Sequence, residues 1–120
     1  MAADAQTDFD DPLLLAGLPI VVSHEDATTT IALDGAWDLA QREKTRDAVQ
    51  SVLGRRPHLV VLDLSRLTFM DSTGVHGVLE LASQAERLKI DLVVVPGPPA
   101  VRRLFELCHL SEFLTFADAG

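Results

Sequence analysis

The chain has 120 residues, 48% hydrophobic and 23% charged, which is enough for one hydrophobic core and short for two. Its 18 acidic against 10 basic residues give a formal net charge of -8, and the absence of a basic stripe excludes nonspecific binding to nucleic-acid phosphates. With Cys108 as its only cysteine, it can form neither an intrachain disulfide nor a thiolate metal cluster.

Residues 1–12 are acidic where a secretory signal would be basic, and are expected to be a tail ahead of one domain over residues 13–120. The apolar run 13–22 is broken by Gly17 and Pro19 and is too short for a transmembrane segment, so a cytoplasmic protein is expected. Residues 19–24 and 28–34 read as two strands of a hairpin joined by Glu25, Asp26 and Ala27, with Ile31 and Leu33 alternating against Thr30 and Ala32. Asp38 can cap a helix running to about Leu53, with Gln41 at the reciprocal capping position and Thr45, Val49, Val52 and Leu53 facing inward. The Gly54 to Pro57 stretch ends it.

Residues 59–64 are nearly all aliphatic and predict a central strand covered on both faces. A second helix is expected over residues 72–88, with Val75, Val78, Leu79 and Ala82 on its buried side and Gly77 either weakening it or permitting close packing. Residues 90–95 predict another buried strand. Pro99 then opens a third helix, whose inward face is Val101, Leu104, Phe105 and a buried, inert Cys108. Residues 113–116 form either a short edge strand or a packed tail. The order of elements requires crossovers, and right-handed ones make strands 28–34, 59–64 and 90–95 parallel. The expected fold is α/β, with a mixed, mostly parallel sheet, an N-terminal hairpin and a layer count the pattern leaves open.

In such a sheet the carboxyl ends of the strands meet the amino ends of the following helices, where ligands and partners gather. Three loops reach that edge: residues 35–38, 65–73 and 96–99. In the second, Asp71 or Ser72 can cap the helix, and Gly74 can admit a partner's backbone. A phosphate on Ser72 would add about 1.5 to 2 negative charges, and the helix-start amides and dipole could tolerate it without refolding the domain. Trp37 is either an anchor of the first helix against the sheet or an aromatic anchor for a partner. His24, His58, His76 and His109 lack metal-ligand spacing. Neither a G-x-S-x-G elbow nor a phosphate-cradling loop is present, so the chain reads as a non-enzyme.

The stretch LVVLDLSRLTFMDSTG over residues 59–74, followed by residues 99–105 and 110–116, closely resembles the STAS domain family, especially bacterial anti-sigma factor antagonists. The resemblance covers about residues 20–116 and implies a mixed sheet with helices on one side. It also implies a partner switch. The unphosphorylated antagonist binds an anti-sigma factor that is a serine kinase, the kinase phosphorylates it to break the complex, and a serine phosphatase restores it. Carried over, Ser72 is the phosphoacceptor, Asp71 orients it or meets the partner, Thr73 is a neighbouring hydroxyl, and Gly74 keeps the helix mouth open. Met70, Trp37 and Asp38 complete the expected partner-binding face. ATP and magnesium belong to the kinase, so no cofactor is assigned to this chain. Gly35-Ala36-Trp37-Asp38 stands where these antagonists commonly have Gly-Glu-Leu-Asp, which alters the expected partner surface. The alternative the resemblance allows is a non-enzymatic scaffold in a sensory complex or a lipid-transport assembly.

Overall fold

The computed structural model describes residues 19–117. The expected tail over residues 1–12 and the leucine-rich residues 13–18 lie outside the described residues. A four-stranded sheet has the order β1 (Ile20–Glu25), β2 (Thr28–Trp37), β3 (Leu59–Met70) and β4 (Asp91–Val95). The β1/β2 pair is antiparallel, and β2/β3 and β3/β4 are parallel, as the crossovers require. Those crossovers are α1 (Arg42–Gly54) and α2 (Ser72–Leu88), and α3 (Pro99–Leu107) follows β4.

The hairpin is tighter than expected. Glu25 pairs with Thr28, which leaves Asp26 and Ala27 as a two-residue loop. Asp26 adopts φ 55°, the left-handed conformation that short hairpin turns favour. The backbone N–H groups of His58 and Leu59 both donate to Ala27 O, at 2.8 and 3.3 Å, and tie this turn to the start of β3.

The helices pack on one face of the sheet, so β3 is not covered on both faces as its aliphatic run suggested, and the burial alternation shows which face is filled. Thr29, Ile31 and Leu33 on β2 and Val60, Leu62 and Leu64 on β3 are buried, whereas the intervening Thr30, Ala32, Val61 and Asp63 are only half-buried. Buried Thr29 meets His24 through a 2.9 Å side-chain hydrogen bond, so its hydroxyl is satisfied.

Several boundaries and faces differ from the sequence reading. β2 continues past Asp34 to Trp37, and β3 continues past Leu64 to Met70, so much of the two expected loops is paired strand. Register shifts between Ala32 and Asp34 and between Gly35 and Ala36 break the two-residue alternation; beyond them the buried residues of β3 are Leu64, Leu67 and Met70, three apart. On α2 the buried residues are Gly74, Val75, Val78, Leu81 and Ala85; Leu79 is 38% exposed and Ala82 is half-buried. Ile90 is buried but precedes β4, donating its N–H to Ala85 O. α3 buries Val101 and Phe105 but ends at Leu107, so Cys108 falls beyond the periodic face and is exposed rather than buried. Past a 3-10 turn over Leu110–Glu112, Phe113 is exposed, and only Phe116 bridges in parallel to Val94 on the edge of β4. Val94 N–H donates to Thr115 O and Ala117 N–H to Val94 O, at 2.9 and 2.8 Å.

Candidate functional site

The paired carboxyl ends of β2 and β3 place Trp37 opposite Met70, and each strand is followed at once by an aspartate. Both aspartates have extended backbones and cap the turn or helix after them. Asp38 Oδ1 accepts from Ala40 N–H at 3.1 Å and opens a 3-10 turn over Leu39–Gln41; Asp71 Oδ1 accepts from Thr73 N–H at 2.8 Å and opens α2. The expected continuous helix from Asp38 is thus a 3-10 turn leading into α1. Gln41 sits at the junction without a side-chain cap to α1, and its carbonyl accepts from the buried Thr45 hydroxyl at 2.8 Å.

Asp71 therefore carries the capping duty at α2, and Ser72 does not. The N–H groups of Gly74 and Val75 already donate to Asp71 O, at 3.0 and 3.3 Å, and that of Thr73 to the Asp71 carboxylate. The amide nest expected to receive a phosphate is largely engaged, which changes where a new negative charge on Ser72 could be neutralised. Ser72 itself is exposed as the first residue of α2, Thr73 is half-buried, and Met70 and Gly74 are buried.

Trp37 lies inside, 2% exposed, with the start of α2 packed on its indole. A Cβ on Gly77 would lie 2.5 Å from Trp37 Cζ2, and one on Gly74 would collide with Met70 Cγ, so both glycines serve close packing within the domain. Gly77 thus permits close packing, one of its two expected roles, and Gly74 is required by Met70 and Trp37 rather than by an approaching backbone. Trp37 meets the surface only as part of the wall of a groove between α1 and α2.

That groove, about 320 Å³, is bounded by Leu39, Arg42 and Arg46 on one side and by Ser72, His76 and Glu80 on the other. Residues 96–99 do not line it; Pro96 lines a separate depression beside α3. Leu39 is 68% exposed, and Phe69, just before Met70, is 52% exposed, so apolar surface adjoins Ser72. Sequence reasoning did not place Leu39, Arg42, Phe69 or His76 at the site. The signal that could have found them is positional: Leu39 follows a capping aspartate, and His76 lies one helical turn after Ser72.

The STAS domain model matches residues 19–119, almost the whole chain. The chain belongs to the STAS domain family. This STAS domain is 30% identical over 102 residues, 85% of its length and 88% of the relative's, to the Bordetella bronchiseptica protein named "Putative anti-sigma factor antagonist BtrV". Its fold is similar to that of an anti-sigma factor antagonist from Mycobacterium paratuberculosis, with a TM-score of 0.80, 21% identity and coverage of 91% of this chain and 90% of the other. It is also similar to SpoIIAA, solved unphosphorylated (TM-score 0.71, 24% identity, 83% and 89% coverage) and phosphorylated (TM-score 0.66, 22% identity, 83% and 92% coverage). No helix among the described residues is long and apolar enough to cross a membrane.

Proposed function

We propose that this STAS domain is an anti-sigma factor antagonist that binds a serine-kinase anti-sigma factor through the Ser72 edge and is released when Ser72 is phosphorylated. The observation that carries this reading is the division of labour at the start of α2: Asp71 makes the cap, leaving an exposed Ser72 hydroxyl that the helix does not need. Exposed Leu39 and Phe69 supply apolar contact beside it, while buried Trp37, Met70 and Gly74 hold the edge rigid from below. Asp38, Asp71 and Thr73 complete the polar surface of the proposed face. A phosphate there would bring about 1.5 to 2 negative charges and three acceptor oxygens into a desolvated interface, expelling the partner while the core stays as it was. The 30% identity with the Bordetella bronchiseptica relative supports the antagonist role. A separate serine phosphatase would reset the switch.

The test is to incubate the purified domain with its cognate kinase and ATP and to read intact mass and phosphosite, alongside binding of the two proteins before and after. One phosphate on Ser72, none on Ser72→Ala, and loss of the complex on phosphorylation are expected. Equal labelling of Ser72→Ala would remove the residue assignment. A complex indifferent to phosphate on Ser72 would leave a constitutive scaffold as the better reading.

A further inference from the structure

We propose that a phosphate on Ser72 is gripped by this chain's own Arg42, with His76 beside it, so that the modified protein folds its new charge into the α1/α2 groove. The inference rests on Ser72 being the modified residue and adds where its phosphate goes.

The two helices lie side by side in a fixed register. Gln50 Nε2 donates to Gln84 Oε1 at 2.8 Å, and one turn earlier Arg46 Nε stands 3.8 Å from Glu80 Oε1. Each pair is offset by the same step along the chain, so α1 and α2 run parallel, and the next pair toward their starts is Arg42 with His76. Ser72 lies one turn before His76 on the same face of α2, and Arg42, Ser72 and His76 line the same groove. The first two pairs are complementary; the third has no acid. Among the described residues, neither Arg42 nor His76 takes part in an ion pair or a side-chain hydrogen bond.

Side chains on a helix lean toward its amino end, which directs Arg42 and His76 back toward Ser72. The other charged groups around this point set the direction of the phosphate. Arg46 is engaged by Glu80, and the carboxylates of Asp38 and Asp71 cap the 3-10 turn and α2, where they repel an anion. The Thr73, Gly74 and Val75 amides are taken. The unpaired guanidinium of Arg42 is therefore the strongest attraction for the phosphate, and it can bind a phosphate through two parallel N–H donors. The modification would supply the missing acid of the third pair and cover the groove.

The experiment installs phosphoserine at position 72 during translation, independently of any kinase, and follows the phosphate by 31P NMR against pH in the wild type and in Arg42→Ala. A free phosphoserine titrates near pH ~6. In the wild type the midpoint is expected about one pH unit lower, because a neighbouring cation favours the dianion, and it should return toward the free value in Arg42→Ala. The urea midpoint should also rise on phosphorylation in the wild type and not in Arg42→Ala. A wild-type phosphate that titrates like free phosphoserine, unchanged by Arg42→Ala, would overturn the proposal. Because the phosphate is installed directly, a gripped phosphate in a protein that no kinase modifies would refute only the functional reading, and an ungripped one in a protein its kinase does modify only this inference.

Discussion

Replacing Gly77 with alanine tests whether the Trp37 indole sets the spacing between α2 and the sheet, and hence the position of Ser72. In an unobstructed helix interior this change gains about 1 kcal/mol. Here the new Cβ would lie 2.5 Å from Trp37 Cζ2 and 3.1 Å from Cη2. Carbon atoms rest about 3.5 to 4.0 Å apart, so the ring or the helix must give by roughly 1 Å. The indole is buried and rigid, and overpacking of this kind costs about 1–3 kcal/mol. The overpacking outweighs the helix gain, leaving a net loss of about 1 kcal/mol and a fall in Tm of about 4 °C for a domain of this size. Urea unfolding followed through Trp37, the only tryptophan, measures it directly. In a Trp37→Phe background the offending ring atoms are gone, so the same glycine substitution should become stabilising by up to about 1 kcal/mol, read by circular dichroism. Stabilisation of the wild type by Gly77→Ala, or the same sign in both backgrounds, would refute the packing argument.

Asp71→Ala removes the α2 cap and should lower the urea unfolding free energy by about 1 kcal/mol, while Asp71→Asn should recover most of it; an unchanged midpoint in the alanine variant would mean that the Thr73 N–H bond contributes nothing. Leu62→Asp places an unpaired carboxylate on the helix-facing side of the central strand, at a residue 1% exposed, and should cost more than about 3 kcal/mol and leave little native circular dichroism at 25 °C. Ser72→Asp, at an exposed position, should melt close to the wild type; equal loss in the two variants would contradict the separation of core from switching edge.

The sequence made the order of elements readable because the start of β3 and β4 are nearly all aliphatic, β2 alternates Ile31 and Leu33 with smaller or polar residues, and Asp38 and Asp71 cap the 3-10 turn before α1 and the start of α2. It also put Ser72 at the start of a helix, since a hydroxyl following the last strand residues has few other places to go in a parallel sheet. The ends of β2 and β3 were hidden because their bulges replace a two-residue repeat with the three-residue spacing of Leu64, Leu67 and Met70, which resembles neither strand nor loop. The face of α2 was misassigned in part: Val75 and Val78 are buried as expected, but Leu79 and Ala82 are not, because apolar residues surround much of the helix. Leu79 and Leu81 compete for the core, and the choice falls to Gly74 and Gly77, which turn toward Met70 and Trp37. The groove was invisible because it depends on the register between two helices set by Arg46 with Glu80 and Gln50 with Gln84. Those pairs are 34 residues apart in sequence, and nothing local announces them.

The strand formed by Phe116 against Val94 is a single bridge, yet it lies on an open flank of the sheet. A parallel sheet ends in a row of donors and acceptors that another copy's strand can match, and such a flank invites chain-to-chain pairing. Thr115 and Ala117 take both the donor and the acceptor of Val94, in the β4 ladder, so the flank offers no uninterrupted template. The residues after α3, which also bring buried Leu110 and the Phe116 ring against Phe105 to the core, thereby act as a guard against aggregation as well as a part of the packing.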